Sequence, residues 1–192
     1  MLTACVDAPR WTSDIAGADV RAVVDQQHFS LAHDTLSLST PGRAAIVMRT
    51  TTVALGGRTL DVAPLDTAVD EETLDLVRAE FVETFEVNDE GVAQSWGFPR
   101  RPDTAADLVV TVDVAEVTAI DRVEDGLRLR RAGEVDVFYG DATFIDAAGG
   151  RTAVPSTYAR DRIVLAVPAS VVAAASFPAI LDPQMVITPT AN

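Results

Sequence analysis

The chain has 192 residues, 48% apolar and 23% charged, enough for one domain with a core of its own. Its 15 basic residues face 29 acidic ones, and the formal net charge of −14 would repel a phosphate backbone or an anionic bilayer. A single cysteine excludes an internal disulfide. All 15 basic residues are Arg, which we read as compositional bias, whereas 26 Val, 7 Ile and 19 Thr favour strands because β-branched side chains fit a pleated, half-buried surface.

The chain opens Leu2-Thr3-Ala4-Cys5, which resembles a bacterial lipobox, the apolar-small-Cys site at which a thiol is lipidated. A working export signal needs a basic stretch and roughly 7 to 15 apolar residues before that site, and three residues stand between Met1 and Cys5. Two readings remain: Cys5 is the lipid-anchored first residue of a longer precursor, or it is an incidental thiol. Residues 1–25 have no sustained period and read as an amino-terminal tether or a short amphipathic segment.

From about residue 28 the pattern changes to short alternating runs bounded by Gly, Pro, Asn and Asp, the signature of antiparallel strands. Leu36 and Leu38 alternate with Ser, Thr40-Pro41-Gly42-Arg43 turns the chain, and Ala45 to Leu55 forms a longer strand ending at Gly56-Gly57. After an acidic connection, Leu74, Val77 and Phe81 fall at helical spacing, which predicts at most one helical turn before the next strand. Phe81, Phe85 and Val87 then precede the turn Asn88-Asp89-Glu90-Gly91, and Val92, Gln94, Trp96 and Phe98 follow it, a hairpin with one mostly apolar face. Leu108 to Val114 alternate as another strand. Asp125-Gly126 marks a tight turn, beyond which Leu127 and Leu129 face inward and Arg128 and Arg130 face water. Val135, Val137, Phe144, Val154 and Tyr158 continue the rhythm, with turns at Ala147 to Gly150 and Arg160-Asp161.

Ile163 to Leu181 carries no charge over 19 residues, but Pro168 and Pro178 interrupt it and its alanines add little insertion energy. It reads as a strand, a helical turn opened by Pro168 and an extended stretch from Phe177. About a dozen short strands with no βαβ alternation predict an all-β fold: an antiparallel two-sheet β-sandwich over residues 26–184, one short helical turn near 168–175, and a tail at 185–192. Met185 to Thr188 reads as an edge strand open to association.

Catalytic chemistry finds little footing. His28 and His33 are spaced to lie on opposite faces of a strand, and no acidic turn supplies the alternating oxygen ligands of a calcium loop, so no metal and no cofactor is expected. G-x-S-x-G, S-x-x-K and the phosphate-binding glycine motifs are missing. Trp96, Tyr139 and Tyr158 are candidate stacking platforms for a sugar, although a Trp at an inward-alternating position is more often core.

From residue 81 onward the sequence acquires a further signature. Asn88-Asp89-Glu90-Gly91-Val92-Ala93-Gln94-Ser95-Trp96-Gly97-Phe98 resembles the N-x-x-G-ϕ-E-Q-x-[WF]-x-F hairpin in amino-terminal domains of large secreted bacterial proteins that carry propeller-type repeats downstream. Ala93 stands where that pattern has Glu. Asp107-Leu108-Val109-Val110, Asp125-Gly126-Leu127, Tyr139-Gly140 with Asp146 to Arg151, and Phe177-Pro178-Ala179-Ile180-Leu181-Asp182-Pro183 resemble the landmarks that follow, in the same order. The resemblance spans about residues 81–183 and implies a β-rich exported module. It carries over no catalytic residue.

The expectation is therefore a non-enzymatic structural or interaction module, extracellular or on the cell envelope, touching the membrane only through a lipid on Cys5. Its partner would be a surface protein or a glycan, with no role for nucleic acid. A carbohydrate-binding module using Trp96, Tyr139 or Tyr158 is the first alternative, and a carboxylate-dependent hydrolase is the second.

Overall fold

Two antiparallel sheets of nine strands each face one another in the computed structural model, which describes residues 9–13, 19–24, 27–40, 44–89, 91–131 and 136–188. The chain builds most of one sheet before starting the other. The first sheet begins with β1 (Thr12–Ser13), β2 (Asp19–Val24), β3 (Gln27–Ala32), β4 (Thr35–Ser39), β5 (Ile46–Leu55) and β6 (Arg58–Leu60). The second begins with β7 (Asp66–Val69), β8 (Thr73–Val77), β9 (Val82–Asn88) and β10 (Gly91–Phe98). The chain then returns to the first sheet for β11 (Leu108–Ala115) and to the second for β12 (Ala119–Val123), β13 (Gly126–Arg130), β14 (Asp136–Ile145) and β15 (Arg151–Val154). Strands β16 (Ser156–Ala159) and β17 (Arg162–Val167) complete the first sheet, and helix α1 (Ala169–Ala174) leads into β18 (Ala179–Thr188).

The path of the first sheet is β1-β2-β3-β4-β5-β11-β17-β16 and that of the second is β12-β13-β14-β18-β10-β9-β8-β7, with β6 on β5 and β15 on β14. Alternation drives this arrangement, since successive strand side chains point to opposite faces. Phe29, Leu31, Leu36, Leu38, Ile46, Met48, Leu74, Leu76, Phe85 and Leu165 are each 2% exposed or less, all at every-other positions of their strands. Burying each such side chain contributes about 1.5–3 kcal/mol, which is what holds the two sheets together.

Several sequence expectations are met where turn chemistry is strong. Val123 pairs with Gly126 across the two-residue turn Glu124-Asp125, one residue ahead of the expected Asp125-Gly126, and a Cβ at Gly126 would lie 2.3 Å from the Tyr139 carbonyl oxygen, so only glycine lets β13 approach β14 there. Arg160 and Asp161 both take positive φ, 54° and 61°, the mirror-image turn that fits strand twist. Pro168 opens α1 as expected. In the turn before β15 the Asp146 carboxylate accepts N–H bonds from Ala148 and Gly150 and reaches Ser176 N, and these backbone donors hold its carboxyl below the usual range.

Three expectations need correction. The stretch 1–25 is not wholly a tether: Trp11 is buried, its indole N–H donates to the Phe85 carbonyl at 3.1 Å, and β2 is an integral strand of the first sheet. Trp11 supplies enough apolar surface to anchor a segment whose period is too short to read. The expectation of at most one helical turn before β9 is met with none, because Leu74 and Leu76 alternate inward in β8 and the helical spacing of Leu74, Val77 and Phe81 arises from a strand followed by a turn. The stretch from Met185 to Thr188 is neither tail nor free edge: it pairs with β14 from Asp136↔Thr188 to Tyr139↔Met185, and β18 lies in the middle of the second sheet. His28 and His33 do not lie on opposite faces of one strand, since His33 sits in the β3–β4 turn with φ 59°. Cys5, Pro41 to Arg43 and Glu90 lie outside the described residues.

Candidate functional site

A chain of hydrogen-bonded polar groups crosses the interior of the sandwich from one sheet to the other. Glu83 occupies an inward slot of β9 between Phe81 and Phe85, and its side chain is 1% exposed. A carboxylate moved out of water needs a counter-charge and hydrogen bonds to offset lost hydration. Arg78, fully buried just beyond β8, supplies the charge through Nη2 on Glu83 Oε2 and lies over the Phe81 ring with its guanidinium carbon 5.6 Å from the ring centre. The Nε and Nη1 of Arg78 are buried with no hydrogen-bond partner among the described residues.

The other carboxylate oxygen, Glu83 Oε1, accepts two donors from different sheets. Thr50 of β5 donates its hydroxyl at 2.6 Å, and Gln94 of β10 donates from Nε2 at 2.8 Å. Trp96 lies directly across from Glu83 in the β9–β10 ladder, so both side chains share the inner face, and its indole N–H donates to Thr50 Oγ1 at 3.2 Å. Tyr139 of β14 completes the chain by donating its hydroxyl to Gln94 Oε1 at 3.5 Å, the outer limit of a hydrogen bond. Burial, and secondarily the nearby Glu83 charge, pushes the Tyr139 phenol far above its ordinary range, so it stays protonated and acts as a donor.

Backbone irregularity aims Thr50 into this cluster. The β5–β11 register shifts so that Thr111 pairs with Thr52 while Val112 pairs with Thr50, leaving Thr51 as the extra residue of a bulge. Burial along β5 follows the shift, with Ile46, Met48 and Thr50 inward on one side and Val53 and Leu55 on the other. Thr51 turns outward and donates to Asp113 Oδ1 at 2.9 Å.

Two of the aromatic candidates are core residues. Trp96 and Tyr139 are both 0% exposed, so neither ring offers a face to a sugar, and that role is corrected for both. The alternation that placed them inward decides the matter. Tyr158, in β16, is half-buried beside a groove of about 350 Å³ that includes Ile120, Arg122 and Leu127, and its hydroxyl donates to Asp161 at 2.9 Å. Cys5 lies outside the described residues.

A carboxylate-dependent hydrolase requires two acids facing each other across a cleft. Glu83, the one fully buried carboxylate among the described residues, faces Arg78, Thr50 and Gln94 instead. Among the same residues no group of three His, Cys, Asp or Glu side chains could hold a metal ion, and no helix is long and apolar enough to cross a membrane.

Sequence reasoning missed Glu83, Thr50 and Arg78, though a signal existed for the first. Phe81, Glu83, Phe85 and Val87 are successive inward positions, and a charged residue in such a row marks a buried polar site. Gln94 stands out in the same way between Val92 and Trp96. Comparison with protein-family models, with curated proteins and with solved structures finds no match to the chain.

Proposed function

We propose that this chain is a non-catalytic structural and interaction module, exported and tethered to the cell envelope through Cys5. The observation that supports this reading is the closure of the polar cluster: Glu83, Gln94, Trp96 and Tyr139 are 2% exposed or less, so diffusible substrates have no surface at which to meet them. Function then belongs to the outside of the sandwich. All four residues of edge strand β7 are exposed, with Leu65 before it 70% exposed and Val69 at its end 42% exposed, a geometry suited to pairing with a strand from another protein. The lipobox-like start and the ordered landmarks of residues 81–183 favour the surface location.

Intact mass and membrane partitioning of the product of the native locus, including any residues upstream of Met1, test the proposal. A lipid on Cys5 with the protein in the detergent phase is the expected result. A free Cys5 thiol on a protein that partitions wholly into water would overturn the tether.

A further inference from the structure

We propose that Thr50 and Gln94 react with each other inside the folded core, forming an ester between their side chains that staples the two sheets together. The inference goes beyond the surface reading above and stands on the core geometry alone. A nucleophile, a base and an electrophile converge here, the constellation that acyl transfer requires.

Thr50 is the nucleophile. Its hydroxyl hydrogen points at Glu83 Oε1, 2.6 Å away, while Trp96 Nε1–H occupies one oxygen lone pair and leaves the second free. Glu83 is the base, fixed from behind by Arg78 on its other oxygen. Gln94 is the electrophile: its amide nitrogen rests on the same Oε1, so hydroxyl oxygen and amide nitrogen are no farther apart than the 2.6 and 2.8 Å bonds laid end to end. The Gln94 carbonyl carbon is one covalent bond from that nitrogen. Tyr139 stands on the carbonyl oxygen, where negative charge develops in a tetrahedral intermediate.

The step balances without any added reagent. Thr50 gives its proton to Glu83 Oε1 as Oγ1 attacks Gln94 Cδ, and the oxyanion takes the Tyr139 hydrogen bond. Glu83 returns the proton to the departing nitrogen, the Cδ–N bond breaks, and ammonia leaves with an Oγ1–Cδ ester in place of the amide. Attack requires the reacting atoms to close to about 3–3.5 Å. In water an amide is the more stable partner of this exchange, but here the released ammonia escapes to solvent and the buried site excludes the water that would hydrolyse the ester. Arg78 and Trp96 hold the geometry as positioning residues.

The test is mass spectrometry of the full folded chain. The expected mass is below that of the sequence by one ammonia. Because every basic residue is Arg, trypsin separates Thr50 and Gln94 into peptides 50–58 and 79–100, and these two should be recovered joined. Hydroxylamine applied to the unfolded intact chain before digestion should separate them, restoring Thr50 and leaving a hydroxamate at position 94. Unmodified mass with the two peptides recovered apart overturns the proposal, as does loss of ammonia while the peptides remain apart. Thr50→Ser should retain the link and Thr50→Ala should abolish it. Glu83→Gln, scored on folded material, should leave the chain at full mass, and a persisting link would remove Glu83 from the role of base. If Glu83→Gln fails to fold, the wild-type peptide map still decides.

Discussion

Two Arg–Glu pairs flank the same β8–β9 hairpin, and they behave as opposites. Arg58 and Glu80 meet at the surface, with Nη1 2.7 Å from Oε1 and side chains 63% and 36% exposed, whereas Arg78 and Glu83 are 0% and 1% exposed. The outer pair exchanges hydration for a contact that solvent screens, so its net effect is small. The inner pair has surrendered its hydration entirely and survives through Thr50, Gln94 and each other. The residue types are the same in both pairs. Sheet geometry alone sets the difference, placing Glu83 on the inward face of β9 and Glu80 in the turn.

Removing Glu83 carries the largest expected effect. Glu83→Ala leaves Arg78 charged and unpaired in the core, and chemical denaturation should show a loss of about 3–5 kcal/mol or a failure to fold. A loss under about 1 kcal/mol would show that the inner pair is no more buried in effect than the outer one. Thr50→Val keeps the branched shape but takes one donor from Glu83 and the acceptor from Trp96, so a loss of about 1–3 kcal/mol is expected, together with any cross-link.

Asp141, paired with Arg122, lies between the two in exposure. Arg122 chiefly, with the Ser156 N–H at 2.8 Å, holds its carboxyl below the usual range against the opposing effect of burial. The folded protein therefore binds that proton less tightly than the unfolded chain. Its stabilisation is complete above the ordinary carboxylate range and disappears as pH falls through the depressed value. Asp141→Asn should lower Tm at neutral pH and converge with wild type in acid; an equal loss at both would assign the effect to packing. Asp182 has the opposite sign, because burial raises its carboxyl, with Arg151 opposing. Its carboxylate costs stability as pH rises past the usual range, so Asp182→Asn should raise Tm at neutral pH and change little in acid. The smallest effect belongs to the outer pair: Glu80→Gln should shift Tm below the resolution of a thermal melt at physiological salt, and a clear decrease there would overturn its description as solvent-screened.

The resemblance to domains of secreted repeat proteins and the lipobox-like start at Cys5 are expectations about location, and a lipid on Cys5 is the test of the second. The stapling proposal is independent of both. An ester joining β5 to β10 would connect the sheets covalently in a chain whose single cysteine allows no internal disulfide.

Alternation of small groups of residues determined the all-β class, the position of most strands, the inward set of Leu127, Leu129, Trp96 and Phe98, and the turns at Asp125-Gly126 and Arg160-Asp161. Those features are local: each depends on side-chain period or on a residue able to take positive φ. Only the tertiary structure decided that β18 lies between β14 and β10, that Trp11 seals the core near Phe85, and that Thr50 meets Glu83. Each of these joins residues far apart in the chain, and no periodic signal records which partner a strand will choose. Thr50 adds a second reason, since its direction depends on a bulge that forms only when β11 pairs with β5. Glu83 stood visible as a charge in an apolar row. What made that charge tolerable was Arg78 and Gln94 from its own sheet together with Thr50 from the opposite one.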